Sequence, residues 1–508
     1  MLNARDPQGL SGQDFDLVVV GGGIYGIMVA LEATRRGLRP LVLERGDFGG
    51  ATSHNSLRIV HGGLRYLQSL DLPRFRESVD ERRWFLRHFP DLVRPLPCLM
   101  PLYGAGLRRP WALRVALALN DALSPRRNLG VRDDRVLPAG RVLDVQATRE
   151  VFPAVELSGL KGAALWHDAF IPDTPALFME ALGWACAKGA RALNYVEATG
   201  VIERDGRVRA VRAVDAASGA ALEFHAPVVV NAAGPWSPAF AAACRAQAED
   251  LFPPSLAWNV VFRRAPLSEY ALAVAPPRPG AQTYFLVPWK GVLLAGTGHA
   301  PWDAGPGDPR LPPDLLETFV ADLNEAVPGL GLGEGDVARV FAGLLPARGP
   351  GSAELTVRPV VLEHGASGGP NGLFSLSGIK LTTSRRVADE LLSRAFAGAR
   401  ALPYEQFERP PRRSEGPDYA FSWMPAFGDN SWQAPLRRAV SEESVLHLDD
   451  LILRRSSLGD NPERAAALAP AVCQALDWDS ERADREVAAL RRQLGRPETT
   501  EETLPQPL

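Results

Sequence analysis

The chain has 508 residues, 46% of them hydrophobic, and a formal net charge of −3, enough apolar material for two or three domains with large cores. That charge balance exerts no global pull toward nucleic acid. The four cysteines, Cys98, Cys186, Cys244 and Cys473, have no paired spacing, which excludes a disulfide framework, predicts no metal site and fits a reducing compartment.

Residues 1–13 are polar and lack the apolar core of an export signal. No apolar run reaches the roughly 18 residues of a membrane span. A cytoplasmic protein, or one resting on a membrane surface, is expected. Residues 17–20 are apolar and β-branched, as in a strand buried on both faces of a parallel sheet, and 24–36 switch to helical spacing. Between them lies Gly21-Gly22-Gly23-Ile24-Tyr25-Gly26. Gly21 permits the tight turn, Gly23 lets backbone approach a pyrophosphate, and Gly26 lets helix and strand pack closely. Residues 39–43 read as the second strand, with Glu44 at its tip and Arg45 beside it. A carboxylate there accepts hydrogen bonds from an unphosphorylated adenosine ribose. This motif marks a dinucleotide site and leaves FAD and NAD unseparated.

A second constellation follows, Ala51-Thr52-Ser53-His54-Asn55-Ser56 and then His61-Gly62-Gly63-Leu64-Arg65-Tyr66. Its hydroxyls, Thr52, Ser53 and Ser56, can bond pyrophosphate oxygens, and Gly62 and Gly63 can admit a planar ring against the backbone. Further on, 191–196, 200–202 and 208–214 read as short strands, with Asp205-Gly206 as a hairpin turn. Residues 226–236 return to a buried strand of the first sheet that ends in a glycine turn. Strands at 258–262, 283–287 and 292–295 belong to an antiparallel sheet lying over the nucleotide, and 301–313 form a loop. A helix is expected over 315–327, and the strand 373–377 leads back to the first sheet at Gly378. A linker rich in Pro, Arg and Glu spans 401–418, and 419–508 is helical in pattern.

These motifs together with Asn231-Ala232-Ala233-Gly234-Pro235-Trp236 and Gly378-Ile379-Lys380-Leu381-Thr382-Thr383 make the sequence resemble the FAD-dependent glycerol-3-phosphate dehydrogenases, within the wider D-amino-acid-oxidase-like flavoproteins. The resemblance implies an α/β fold: a doubly wound FAD-binding domain, an inserted antiparallel-sheet substrate domain and a small helical C-terminal cap. The oxidoreductase region covers 14–400, with FAD-binding parts at 14–75, 155–240 and 370–400 and the substrate part at 76–154 and 241–369. It also implies noncovalent FAD whose ring lies between the His61-Gly62-Gly63-Leu64 loop and the loop of Gly378, Lys380, Leu381 and Thr382. Gly234 and Trp236 then fall near the adenosine and pyrophosphate. Residues 107–119 are similar to a stretch that the family uses near membranes, where electrons pass to a quinone, and 447–455 are similar to part of its C-terminal domain.

By the same resemblance Arg65, Tyr66, Arg358 and Thr383 surround a small polar or anionic substrate, and Lys380 stands beside the flavin, where a cation stabilises the reduced ring. Two positions depart from the pattern: Leu345 replaces an arginine and Asn259 a histidine proposed as base. A lost guanidinium removes charge-assisted bonds of about 1.5–3 kcal/mol each from a phosphate clamp. Arg348 and His299 are the nearby substitutes, His299 as an alternative base. His61 reads as part of the flavin loop rather than as a catalyst, His54 as a loop residue near the cofactor, and His167 with Asp168 as a structural pair. The expected reaction is removal of hydride from a polar CH–OH centre. The alternatives are an amine or amino-acid oxidase, and a catalytically lapsed flavoprotein with a binding role.

Overall fold

The computed structural model describes residues 5–104, 109–248, 251–307, 309–410 and 433–494. The strand Leu17–Val20, buried at every position, lies near the middle of a six-stranded sheet between Val228–Asn231 and Pro40–Leu43. Both neighbours run parallel to it. Leu373–Ser377 extends the sheet on one side and Arg191–Leu193 on the other, and Val360–Glu363 adds an antiparallel edge. The helices Ile24–Thr34, Thr174–Ala187 and Ser384–Ala395 pack on one another against this sheet. On the other face lies a three-stranded antiparallel layer, Val196–Arg204, Arg207–Asp215 and Ala221–His225. Its first hairpin turns through Asp205 and Gly206, both at positive φ (54° and 70°), as the two central residues of a type I′ turn require.

A larger sheet runs in the order Val337–Pro346, Pro254–Phe262, Val292–Pro301, Tyr284–Trp289, Ala271–Val274, Arg94–Pro101, Ala163–Phe170 and Ile59–Val60, with Arg141–Leu143 paired on Ala163–Phe170. It is antiparallel except where Ala271–Val274 meets Arg94–Pro101. The strand Ala163–Phe170, expected in the FAD-binding part, pairs in this sheet. It is apolar almost throughout, and such a run does not encode which of two sheets will bury it. One face of the large sheet is covered by the helix Pro313–Ala326, with Phe319 and Leu323 inward. The other face looks toward the Gly21 turn.

Residues 401–410 of the expected linker are described; 411–418 lie outside the described residues, as do 419–432 and 495–508 of the expected helical tail. The tail's described part comprises the helices Gln433–Glu442, Pro462–Ala475 and Ser480–Gln493 and the turn Asp450–Arg455. It docks through Arg454 and Arg455, which pair with buried Asp47 at 2.6 and 2.7 Å. Three residues before Asp47 in the chain stands Glu44.

Candidate active site

Between the two sheets lies a cavity of about 4120 Å³. The nucleotide end is built on close backbone approach. Gly21 stands at φ +105°, where a Cβ would come within 2.6 Å of the Ala232 carbonyl oxygen, and a Cβ on Gly26 would collide with the Gly21 carbonyl. The helix Ile24–Thr34 therefore starts directly above the strand, with Gly23, Ile24 and Tyr25 on the cavity wall. Glu44 accepts from the Gly22 N–H at 2.6 Å and the Gly46 N–H at 2.8 Å. Burial pushes its pKa up against those two bonds. Arg45 stacks on Trp236 at 4.0 Å, and both line the cavity beside Gly234.

Three hydroxyls were expected to bond pyrophosphate, and they have three different settings. Thr52 both donates to and accepts from the Leu344 backbone, at 3.0 and 3.1 Å. Ser53 accepts from the Ile24 N–H at 3.0 Å and so caps the helix from across the turn. Ser56 is half-buried, and its Oγ is covered with no partner. Asn55 and Asn259 complete the tie between loop and sheet: Asn55 donates to the Ala342 carbonyl at 2.6 Å, and Asn259 to the Asn55 carbonyl at 2.9 Å. Asn259 Oδ1 accepts from Thr297 at 2.8 Å. That amide is occupied by structure at both ends.

His61 lines the cavity. Its Nδ1 lies 3.1 Å from Asp168 Oδ2, which leaves Nε2 free on a side chain 49% exposed, with the Phe285 ring 5.5 Å away. Buried Asp168 also accepts from the Gly62 N–H at 2.7 Å, from Arg82 at 2.9 Å and from Trp166 at 3.3 Å. Burial alone would raise its pKa, yet the His61 bond and charge, Arg82 and the Gly62 N–H hold it well below the usual carboxylate range. The expected partner of Asp168 was His167. Successive residues of a strand point to opposite faces, so Asp168 reaches His61 instead. A Cβ on Gly62 would also strike the Arg82 guanidinium. Gly63 stands at φ +84° against Phe75 at the start of the helix Leu64–Gln68.

At the far end Lys380 lies 4.2 Å from the Tyr66 ring centre. Burial, and secondarily the charge of Arg65, push its pKa down to about 8. The Lys380 backbone is fixed by Tyr25, whose hydroxyl donates to the Lys380 carbonyl at 2.9 Å and accepts from its N–H at 3.2 Å. Gly378 leaves room for that phenol, and Thr383 bonds the same hydroxyl. Arg65, Tyr66, Lys380, Leu381 and Thr382 line the cavity. Arg358 is exposed and acts on Asp71, outside the cavity wall, and Thr383 is also absent from that wall. Arg348 pairs with exposed Glu354 at 3.0 Å. His299 lines the cavity with Nδ1 buried and unpartnered, and burial pushes its pKa down to about 4.

The sequence profile of the DAO family, described as FAD dependent oxidoreductase, matches residues 16–391. The chain belongs to that family. As a DAO-family protein it is 31% identical over 405 residues to a glycerol-3-phosphate dehydrogenase of Synechocystis, covering 76% of this chain and 70% of that one. It is 32% identical over 392 residues to glycerol-3-phosphate dehydrogenase 1 of Mycobacterium tuberculosis, covering 76% and 73%. Its fold is similar to that of the glycerol-3-phosphate dehydrogenase from Bacillus halodurans complexed with FAD, with a TM-score of 0.68, 20% identity and 96% of each chain covered.

FAD is the cofactor of this DAO-family chain, and the cavity suits it. The unpartnered Ser56 hydroxyl, the first turn of Ile24–Thr34 and the fixed Glu44 carboxylate are the groups a dinucleotide needs. Sequence reasoning missed the clamp of Asp168 and Arg82 and the ties made by Asn55. One signal was present: a lone carboxylate inside an otherwise apolar strand is buried, and a buried carboxylate needs a donor.

Proposed function

We propose that this flavoprotein is a dehydrogenase similar to glycerol-3-phosphate dehydrogenase, acting on a small CH–OH substrate that carries an anionic group. The observation that carries the reading is the imidazole of His61, held at Nδ1 by buried Asp168 and free at Nε2 in the same cavity as Lys380 and Arg65. Bound FAD supplies the two-electron acceptor for the carbon-bound hydrogen. His61 Nε2 takes the hydroxyl proton, and Asp168 fixes the ring's tautomer and stabilises the imidazolium that results. Lys380 and Arg65 bind the anionic group, with Tyr66 as the platform beneath Lys380. His299 stays neutral near pH 7 and is a weak proton acceptor there, which favours His61 as the base.

With Leu345 in place of an arginine, Lys380 and Arg65 are the cations assigned to the substrate anion. The helix Pro110–Leu123 supports electron transfer to a quinone at a membrane surface. Trp111, Val115 and Leu119 form an exposed apolar row, 63%, 62% and 43% exposed, beside the cavity mouth. Residues Leu107 and Arg108 of that stretch lie outside the described residues, and among the described residues no helix is long and apolar enough to cross a membrane.

The test is an anaerobic screen of hydroxy acids, glycerol 3-phosphate and amino acids, read by bleaching of the flavin absorbance. Bleaching by an anionic alcohol, slowed roughly 10²–10⁴-fold in His61→Asn with FAD retained, is expected. Bleaching by amino acids alone, with peroxide formed in air, would make the protein an oxidase. A flavin that no alcohol or amine bleaches would assign it a binding role.

A further inference from the structure

Away from the Lys380 end, the cavity holds a buried guanidinium group, that of Arg58, and a half-buried one, that of Arg339, neither of which the proposed reaction uses. Arg58, 2% exposed, precedes the strand Ile59–Val60. Its Nη1 makes only long bonds, 3.3 Å to the Pro172 carbonyl and 3.3 Å to Thr174, while Nε and Nη2 have no partner. Its Cζ lies 4.4 Å from the Trp289 ring centre and 5.3 Å from that of Phe341. Arg339 faces the same Phe341 ring at 4.7 Å, donates to the Gly459 carbonyl at 2.7 Å, and has Nη2 3.4 Å from His54 Nε2. His54 Nδ1 is buried without a partner. All three side chains line the cavity.

Among the described residues neither Arg58 nor Arg339 has a carboxylate within ion-pair distance. The acids whose charge they feel are Asp460 for both and Asp173 for Arg58. Those two acids already face Lys290, which pairs with Asp460 and lies 4.0 Å from Asp173. Neighbouring Arg454 is matched by Asp47, Asp449 and Asp450. Lys290 thus competes for the two carboxylates nearest Arg58, and neither guanidinium is paired directly with an acid. Aromatic faces soften the lack of a partner but leave the bare N–H donors of Arg58 unsatisfied. A buried cation with open donors is strongly disfavoured unless an anion completes it, and a guanidinium fork suits an oxyanion best.

We infer that Arg58, Arg339 and His54 form a second anion site, where the Gly459 segment of the C-terminal helical unit meets the core, for a small phosphate-type oxyanion. The anion completes the donor set of Arg58 and draws Arg339, with the Gly459 carbonyl it holds, onto the core. Enclosure by Trp289 and Phe341 favours a free ion over a phosphate ester. His54 contributes as a neutral donor through the nitrogen that faces the anion, since burial and the charges of Arg339, Arg58 and Arg454 keep its pKa low.

The experiment is isothermal titration of inorganic phosphate into the FAD-loaded protein at constant ionic strength, with thermal unfolding in parallel. The wild type should bind phosphate and unfold at a higher temperature in its presence. Arg339→Met should weaken binding at this site at least tenfold and reduce the thermal shift. Arg58→Lys, which keeps the charge, should fold and weaken binding less, and Arg65→Ala, which removes a cation of the substrate end, should keep the site that Arg339→Met removes. Phenyl phosphate should bind at least tenfold more weakly than inorganic phosphate; equal binding would make a phosphate ester the source of the same oxyanion. Absence of phosphate binding to the wild type overturns the inference, as does binding lost in Arg65→Ala and kept in Arg339→Met, which would place the ion in the substrate cavity. Weakened FAD retention in Arg339→Met with no phosphate binding to the wild type would assign the guanidinium groups to the cofactor, and overturns it equally.

Discussion

The nucleotide end and the Lys380 end of the cavity are built on opposite principles. At the first, backbone does the positioning: Gly21 and Gly26 sit where no side chain fits, and Glu44 is locked by two N–H groups. At the second, Lys380 rests on the Tyr66 ring and feels the charge of Arg65, with no carboxylate paired to Lys380 among the described residues. A cofactor that stays bound needs a rigid, single geometry. A substrate that must arrive and leave is better met by cations that keep some freedom and give up little on release.

The largest effect should come from breaking the rigid end. A Cβ at Gly26 meets backbone, the Gly21 carbonyl, rather than a movable side chain. Gly26→Ala therefore has to separate helix from strand, which costs about 3 kcal/mol at the upper end of overpacking penalties. The purified variant should be colourless and should take up no FAD on reconstitution, read from the ratio of flavin to protein absorbance. A yellow, fully loaded Gly26→Ala protein would show that the close approach does not govern cofactor binding.

This contrast also explains what was legible beforehand. The Gly21 turn, the strands at 17–20, 40–43, 228–231 and 373–377 and the helix after Gly23 are local patterns, in which period and turn chemistry agree. The clamp on His61 joins residues more than a hundred positions apart, and no local pattern links them. Adjacency suggested His167 for Asp168, whereas strand alternation, applied to the same residues, forbids it. Arg358 is placed at the substrate by likeness to a family pattern; it is exposed and its charge reaches Asp71, while its neighbour Val357 lines the cavity. The hydroxyls of Thr52 and Ser53 were legible as loop chemistry. Their use to tie the loop to the Leu344 backbone and to cap a helix depends on a sheet that the local sequence does not name.

Next in size is the clamp that joins the two ends. Asp168→Asn removes the charge that balances buried Arg82 and the acceptor that orients His61. Breaking one side of a buried pair costs about 3–5 kcal/mol, and a misoriented base costs turnover on the order of 10²-fold or more. Denaturant unfolding and kcat should therefore both fall. His61→Asn should lower kcat and leave stability within about 1 kcal/mol of the wild type, because Arg82 and the Gly62 N–H still hold Asp168. Equal loss of stability in the two variants would mean that His61 is a structural member of the clamp rather than its product.

The smallest effect, and the sharpest test of the comparison, lies at Lys380. With its pKa lowered to about 8 against 10.5 in the unfolded chain, the folded state gives up this proton first as pH rises. Below about pH 8 the ammonium is charged in both states, and the fold bears its desolvation. Between pH 8 and 10.5 the unfolded chain binds more protons, so this group's contribution to stability rises with pH. Substrate binding moves the other way. Above pH 8 the neutral amine no longer attracts an anion, so KM should climb through that range while stability does not fall on this account. Lys380→Met should raise KM about tenfold at pH 7 and flatten its rise above pH 8. Arg358→Ala, outside the cavity wall, should change KM less than twofold. A comparable rise of KM in both variants would bring Arg358 to the substrate and would mean that the exposed segment folds inward when the anion binds.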